Sequence, residues 1–357
     1  MVYHIVAGTF FDFDMFIRRA EEDRGPRHTL YQLAERLQAK IHQPGDYTIT
    51  LVDKLLSKLH STPEHWAMAK SLASSFSSED TVYSTGEDIG LPLAFLLKFK
   101  RDRPKLITYC MVPDRPRTRT FIKLFSLAKI IDLFTVHEPN KEAALKRLFN
   151  LPDEKVFQFI VQADEKFFTP GPASLRGDIP LLASAGLEQR DYATLAEAVA
   201  KRPIEVKVCA FSPNASNKTK VRMPETMPEN MEIRYFEFSE LRELYRSADI
   251  VVISLLKNNY AGLTVLMEGM ACQRPIIITN NEGLASEIVA KGLALGFEPG
   301  DAQGLQSAID QLLSNPEEAK AMAERARSYF FQHHSSERYV DSLFEEIQFI
   351  AQLYHQS

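Results

Sequence analysis

Along most of the chain, short apolar and β-branched runs alternate with longer stretches whose apolar residues recur every three or four positions. The short runs predict strands at YHIVAG, YTITLV, DTVYST, KLITYCMV, LFTVH and KVFQFIV. Between them, HTLYQLAERLQAKI and LPLAFLLKFK have helical spacing. After FFTPGPASLRGDIP the alternation starts again with LLASAG, EVKVCAF, MEIRYF, DIVVISL and RPIIIT. Strands that alternate with helices imply parallel sheets covered on both faces.

At 357 residues the chain exceeds one ordinary core. The Pro/Gly-rich stretch 169–180 reads as a hinge. It divides an N-terminal Rossmann-like domain, 1–172, from a second one, 173–334, followed by a terminal helix, 335–357. In that helix Tyr339, Leu343, Ile347 and Ile350 share one face, which packs on either domain, the first included. The expected fold is α/β, two doubly wound domains with parallel sheets. Ligands of such sheets bind outside the carboxyl ends of the strands. The active site is therefore expected in a cleft where two such edges face each other.

Composition narrows the classes. Hydrophobic residues make up 45% and charged residues 25%, as in ordinary globular proteins. A net charge of -5 argues against a general nucleic-acid binder. Cys110, Cys209 and Cys272 are far apart, so no disulfide framework or metal cluster is expected. MVYHIVAGTFFDFD lacks the pattern of a signal peptide, and no run of about 18 apolar residues occurs. A cytoplasmic protein is expected, with the inner membrane face a further setting.

Two stretches of the second half carry candidate chemistry. In LLASAGLEQRDYATLAEAV a strand meets Gly186, a short turn and a helix beginning near Asp191 or Tyr192. Arg190 stands at that helix entrance, where unpaired N–H groups and a charged fork suit a diphosphate. The plainer reading makes Arg190 a solvated residue and Asp191 an N-cap. In DIVVISLLKNNYAGLTVLMEGMA a strand leads through a polar loop to Gly262 and a helix from Leu263. Glycine there lets backbone amides approach a phosphate. Thr264 adds a hydroxyl in the first turn, and Glu268 follows at i+4 on the same side. A carboxylate in so apolar a helix is costly unless hydrogen-bonded. It is either satisfied by a neighbour within the fold or placed to hold the two hydroxyls of a ribose.

The run AGLTVLMEGMACQRPIIIT resembles the family 4 glycosyltransferases, whose second domain has an E-x-F-G-L-x-x-x-E-A-M-A-x-G-x-P-V-V type segment. Gly262, Leu263, Glu268, Met270, Ala271, Cys272 and Pro275 carry the match. SAGLEQRDYATLAEAV is similar to the family's G-R-x-x-x-x-K-G-x-x-x-L-I-E-A run, shortened by two residues. FFTPGPA and ELRELYRSADIVVISL resemble the segments before the hinge and the donor loop. The resemblance implies a fold of the GT-B type that holds a nucleotide-diphosphate sugar on its second domain. Arg190 would stand for the diphosphate-binding lysine, Glu268 would hold the ribose hydroxyls, and Gly186 and Gly262–Thr264 would face the phosphates. The family's first glutamate falls at Tyr260. Asn259 and Tyr260 then offer uncharged contacts to the donor. No metal and no cofactor beyond the donor are implied, and the anomeric configuration would be retained.

The first half offers weaker candidates for catalysis. Arg27 and His28 lie at a helix entrance, Glu87 follows one strand, and His137 follows another. From 98 to 129, ten Lys and Arg residues face only Asp102 and Asp114. RTRTFIKLFSLAKIIDLF within it interleaves cations with Phe121, Leu124, Phe125 and Leu127. Such a stretch suits anionic lipid, although its apolar face also suits ordinary core packing. The expected activity is hexosyl-type transfer from a nucleotide-sugar donor to the hydroxyl of a carbohydrate or lipid-linked acceptor, as in polysaccharide or glycolipid synthesis. A nucleotide-sugar epimerase or hydrolase on the same fold is one alternative. A non-catalytic scaffold or partner subunit is the other.

Overall fold

The structure is a computed structural model, and it describes residues 2–171, 179–210, 220–257 and 261–352. Two six-stranded sheets, every pairing parallel, account for the α/β class read from the alternation. The first comprises β1 Val2–Val6, β2 Lys40–His42, β3 Asp80–Ser84, β4 Lys105–Tyr109, β5 Leu133–Val136 and β6 Val156–Gln158, in the order 2-1-3-4-5-6. The second sheet takes its strands from β7 Leu181–Ala185, β9 Glu205–Cys209, β11 Met231–Arg234, β12 Ile250–Ile253, β13 Ile276–Thr279 and β14 Leu295–Phe297, in the order 11-9-7-12-13-14. A two-residue ribbon pairs β8 Arg190–Asp191 with β10 Val221–Arg222.

The period of two along each strand sorts side chains to the two faces. Val6, Val82, Leu106 and Phe134 enter one core of the first sheet, and their neighbours Ile5, Tyr83, Ile107 and Leu133 enter the other. In the second sheet Val251, Ile253, Ile276 and Ile278 face one core, while Ile250, Val252 and Ile277 face the opposite one. Both sheets are thus buried on both sides, which is why their strands read as continuous apolar runs.

The chain forms two compact units. Unit 1 is Met1–Met15, His28–Ile160 and Tyr339–Ser357; unit 2 is Phe16–Arg27 and Val161–Arg338. The sequence placed the division at 172/173, whereas the units part at 160/161; residues 172–178 of the expected hinge lie outside the described residues. The short segment 16–27 joins unit 2 because ion pairs hold it there. Arg242 grips Asp23 at 2.6 Å, and Arg27 grips Asp164 and Glu165 at 2.5 and 2.7 Å. Val340, Leu343, Ile347 and Ile350 of the helix Ser336–Gln352 cover one face of the first sheet beside Ile5 and Ile107.

One expected strand is not a strand. YTITLV alternates with period two, yet it becomes an extended loop followed by the helix Leu51–Leu56. Thr50 caps that helix through Asp53 N, and the Asp53 carboxylate returns to Thr50 N at 2.7 Å. This reciprocal box outweighs a six-residue alternation.

Candidate functional site

In the second sheet the strand order reverses between β7 and β12, and it is at the carboxyl ends beside such a reversal that ligands of doubly wound sheets bind. The loop after β7 begins at Gly186, whose φ of +96° is open only to glycine at low strain. A Cβ there would also run into the Arg190 guanidinium. Arg190 itself is buried, 5% exposed, and donates from Nε to Ala185 O at 2.8 Å and from Nη1 to Glu188 O at 2.9 Å. Burial pulls its guanidinium below the ordinary arginine value, while the Glu268 charge is among those opposing that shift.

The loops after β7 and β12 are stitched together. Asp191 N donates to Ser254 O at 3.0 Å, Ser254 Oγ to Asp191 O at 2.8 Å, and Leu256 N to Gln189 O at 2.8 Å. Asp191 also caps the helix Tyr192–Val199 through Thr194 N. On the β12 side Gly262, at φ +81°, opens the helix Leu263–Ala271 with no side-chain cap. A glycine at the N-cap brings no side chain over the first-turn amides, which suits the approach of a ligand. Thr264 is exposed at that entrance, and Glu268, one turn further along, is buried at 7% exposure.

Tyr245 OH donates to Glu268 Oε2 at 2.9 Å. Burial raises the Glu268 carboxyl to about 7, against the downward pull of Tyr245 and Arg190. The helix thus carries a carboxylate with a hydroxyl partner inside the fold and a guanidinium acting on its charge. Asn259 and Tyr260 lie outside the described residues.

The first sheet has the same reversal, between β1 and β3. A cavity of about 470 Å³ lies at the carboxyl ends of β1, β3 and β4, lined among others by Gly8, His60, His65, Glu87, Asp88 and Arg115. Glu87 accepts Met111 N at 2.8 Å and Val112 N at 3.2 Å, which fixes the loop after β4. The Asp88 carboxylate fits between Gly8 and Gly86, where a Cβ on either glycine would meet it. His65 Nε2 faces Gly8 O at 2.8 Å and Asp88 Oδ2 at 3.6 Å, and its Nδ1 lies 2.7 Å from Ser61 Oγ. His60 stacks on Phe121 with ring centroids 5.3 Å apart; burial and the nearby Arg117 lower its imidazole to about 4.

Comparison with known proteins bears on the second site. Residues 195–329 match the model of glycosyl transferases group 1. A D-inositol 3-phosphate glycosyltransferase of Corynebacterium urealyticum is 30% identical over 141 residues, 38% of this chain and 32% of the relative. The match thus spans about a third of that relative's length. Among solved structures, a glycosyltransferase from Rickettsia africae superposes with a TM-score of 0.65 at 14% identity, covering 98% of each chain. Anabaena HepE in complex with UDP-glucose gives 0.61 at 13% identity, covering 100% of each. These likenesses show a shared fold, the GT-B type that the sequence resemblance implied.

Gly262, Leu263, Thr264 and Glu268 lie inside the glycosyl transferases group 1 stretch, and Gly186 and Arg190 lie just before it. The fold brings both groups to one switch point of unit 2. Arg190 is a buried side chain held by backbone carbonyls, not the solvated one of the plainer reading. The first-half candidates are not gathered in one place. Arg27 lies in the ion-pair cluster of unit 2, with its backbone N also donating to Asp164 at 2.7 Å. His28 packs edge-on against Phe11 and Phe13, and His137 sits between Tyr109 OH at 2.7 Å and Glu138 at 2.9 Å. Of these four, Glu87 alone lines the cavity. Ser61 and His65 were missed, since no local spacing ties them to Asp88; only the clustering of titratable side chains around HSTPEH hinted at them.

Proposed function

We propose that the protein transfers a sugar from a nucleotide-diphosphate sugar to an acceptor hydroxyl. The observation that carries this reading is the unit 2 switch point. There a helix N-terminus with glycine, Gly262, at its cap position stands beside two buried, opposed charges, Arg190 and Glu268. Amides and helix dipole suit a diphosphate, and Glu268 suits the ribose hydroxyls. The group 1 match over 195–329 supports the same assignment, as do the names of the relatives, one of them bound to UDP-glucose.

In this account the leaving diphosphate is stabilised by the Gly262–Thr264 amides and Arg190, with no metal required and the anomeric configuration retained. The acceptor occupies the unit 1 cavity, where Asp88, His65 and Ser61 offer paired donors and acceptors to sugar or polyol hydroxyls. Whether the acceptor is free or lipid-linked is read from what the surface around that cavity contacts.

A thermal-shift series with UDP, GDP, ADP and their sugar conjugates tests the reading. A ligand that binds only the native state raises the melting temperature by mass action. One nucleotide is expected to do so, and Glu268→Ala is expected to weaken it roughly ten- to a hundredfold. No shift with any nucleotide, or equal affinity in the variant, would overturn the assignment.

A further inference from the structure

The helix Leu51–Leu56 is inverted relative to an ordinary surface helix. Its acidic residue points inward: Asp53 is 2% exposed and accepts from Lys70 Nζ at 2.7 Å. Its apolar residues point outward: Leu51 is 78%, Val52 59% and Leu55 61% exposed. Ile49 and Leu59 flank them, both exposed. Scattered surface apolar residues need no explanation, but five within eleven positions form a patch. The capping box and the Lys70 pair hold the helix so that it presents these side chains, and Leu56, packed inward, anchors it.

The patch has a cationic rim. Lys54 and Lys58 are exposed within it. Arg117 donates from Nε to Leu59 O at 2.9 Å and from Nη2 to Ser57 O at 2.5 Å, tying the helix Pro116–Phe125 to the same surface. That helix contains no acidic residue and exposes Arg117, Arg119, Lys123 and the apolar Leu124, with Arg115 exposed at its N-cap. Its own apolar side, Phe121 and Ile122, is core, so the lipid-facing role read for this stretch passes to 49–59. Asp46 and Glu64 are the exposed acids that flank 49–59 along the chain, and Asp114 is paired with Lys141 at 3.3 Å.

We propose that unit 1 docks on an anionic lipid bilayer through residues 49–59, with the cations of Pro116–Phe125 over the headgroups. Apolar side chains that insert shallowly, ringed by cations, suit an anionic interface. A second copy of the chain would set cations against cations. No described helix is long and apolar enough to cross a membrane, so this is a surface contact. The proposal does not depend on glycosyl transfer.

Flotation of the full chain with vesicles of phosphatidylglycerol and phosphatidylcholine, at physiological salt, tests it against phosphatidylcholine alone. The wild type is expected to float with the anionic vesicles only. Leu51→Ser with Leu55→Ser should weaken this more than about tenfold. Arg119→Ser and Lys123→Ser should each weaken it about fivefold and flatten its salt dependence. All these side chains are exposed, so melting curves and the nucleotide response should match wild type. Wild type that stays in solution, or a leucine variant that floats as well as wild type, would overturn the proposal. So would a wild-type dimer, or a complex with an acidic protein, that the leucine variant abolishes while vesicles bind neither.

Discussion

The two sheets reverse their strand order in the same way, yet the two switch points are filled differently. In unit 2, at β7 and β12, the charged groups are buried: Arg190 is 5% and Glu268 7% exposed. In unit 1, at β1 and β3, the charges line an open cavity, and Glu87 is answered by two backbone amides. Buried charges that face each other shift their ionisation and hold it for a ligand. Charges at an open mouth, screened by water, are better suited to exchanging hydroxylated partners. The same crossover thus carries buried charges in one unit and an open cavity lined by charges in the other.

The contrast can be broken by substitution. Arg190→Ala removes the donor of two backbone carbonyls beside a buried carboxylate, and should cost on the order of 4 kcal/mol in urea unfolding. Nucleotide binding should be lost as well. A change within about 0.5 kcal/mol, the range of ordinary surface substitutions, would show that the burial carries no energetic weight.

Next comes pH. The Glu268 carboxyl, ordinarily 4.5, is raised to about 7 in the folded chain. The native state therefore holds a proton that the unfolded chain has released between those values. Stability should be complete below about pH 4.5 and fall by about 3 kcal/mol as pH rises through 7. Glu268→Gln should remove this slope and be the more stable protein at pH 8. Parallel slopes for the two would place the ionised carboxylate in a solvated environment.

A smaller effect sharpens the other half of the comparison. His65→Ala should lower turnover at limiting acceptor about tenfold or more while nucleotide affinity stays unchanged. A matching fall in nucleotide affinity would erase the division of labour between the switch points. Smallest is Asp191→Asn, which keeps an oxygen for the cap on Thr194 N and removes the charge paired with Arg222 at 3.2 Å. It should cost about 1 kcal/mol and leave nucleotide binding intact.

The placement of the unit 2 candidates was legible because they are local. Gly262, Thr264 and Glu268 lie on one helix and its cap, so spacing alone aligns them. The unit 1 cavity was not, because its wall comes from loops after β1, β3 and β4 and from Ser61 and His65. Only the crossover brings Ser61 and Asp88 within reach, with Ser61 Oγ donating to Asp88 O at 2.5 Å. The helix Leu51–Leu56 was misread for a related reason. Period-two alternation was visible, but it hid the local box of Thr50 and Asp53, and the further partner of Asp53, Lys70, lies seventeen positions away.

The chain passes between the units at 15/16, 27/28, 160/161 and 338/339. In chain order, the strands of the first sheet precede all those of the second, yet the helix that completes the cover of Ile5, Tyr83 and Ile107 comes after both sheets. Until that helix is in place, Leu33, Ala34 and Leu37 of the helix Thr29–Leu37 cover that apolar face in part, and half-covered faces are where nascent chains aggregate or recruit chaperones. A fragment cut at residue 160 would carry the same defect permanently. The unit whose strands come first in the chain is completed by a segment that lies beyond the other unit.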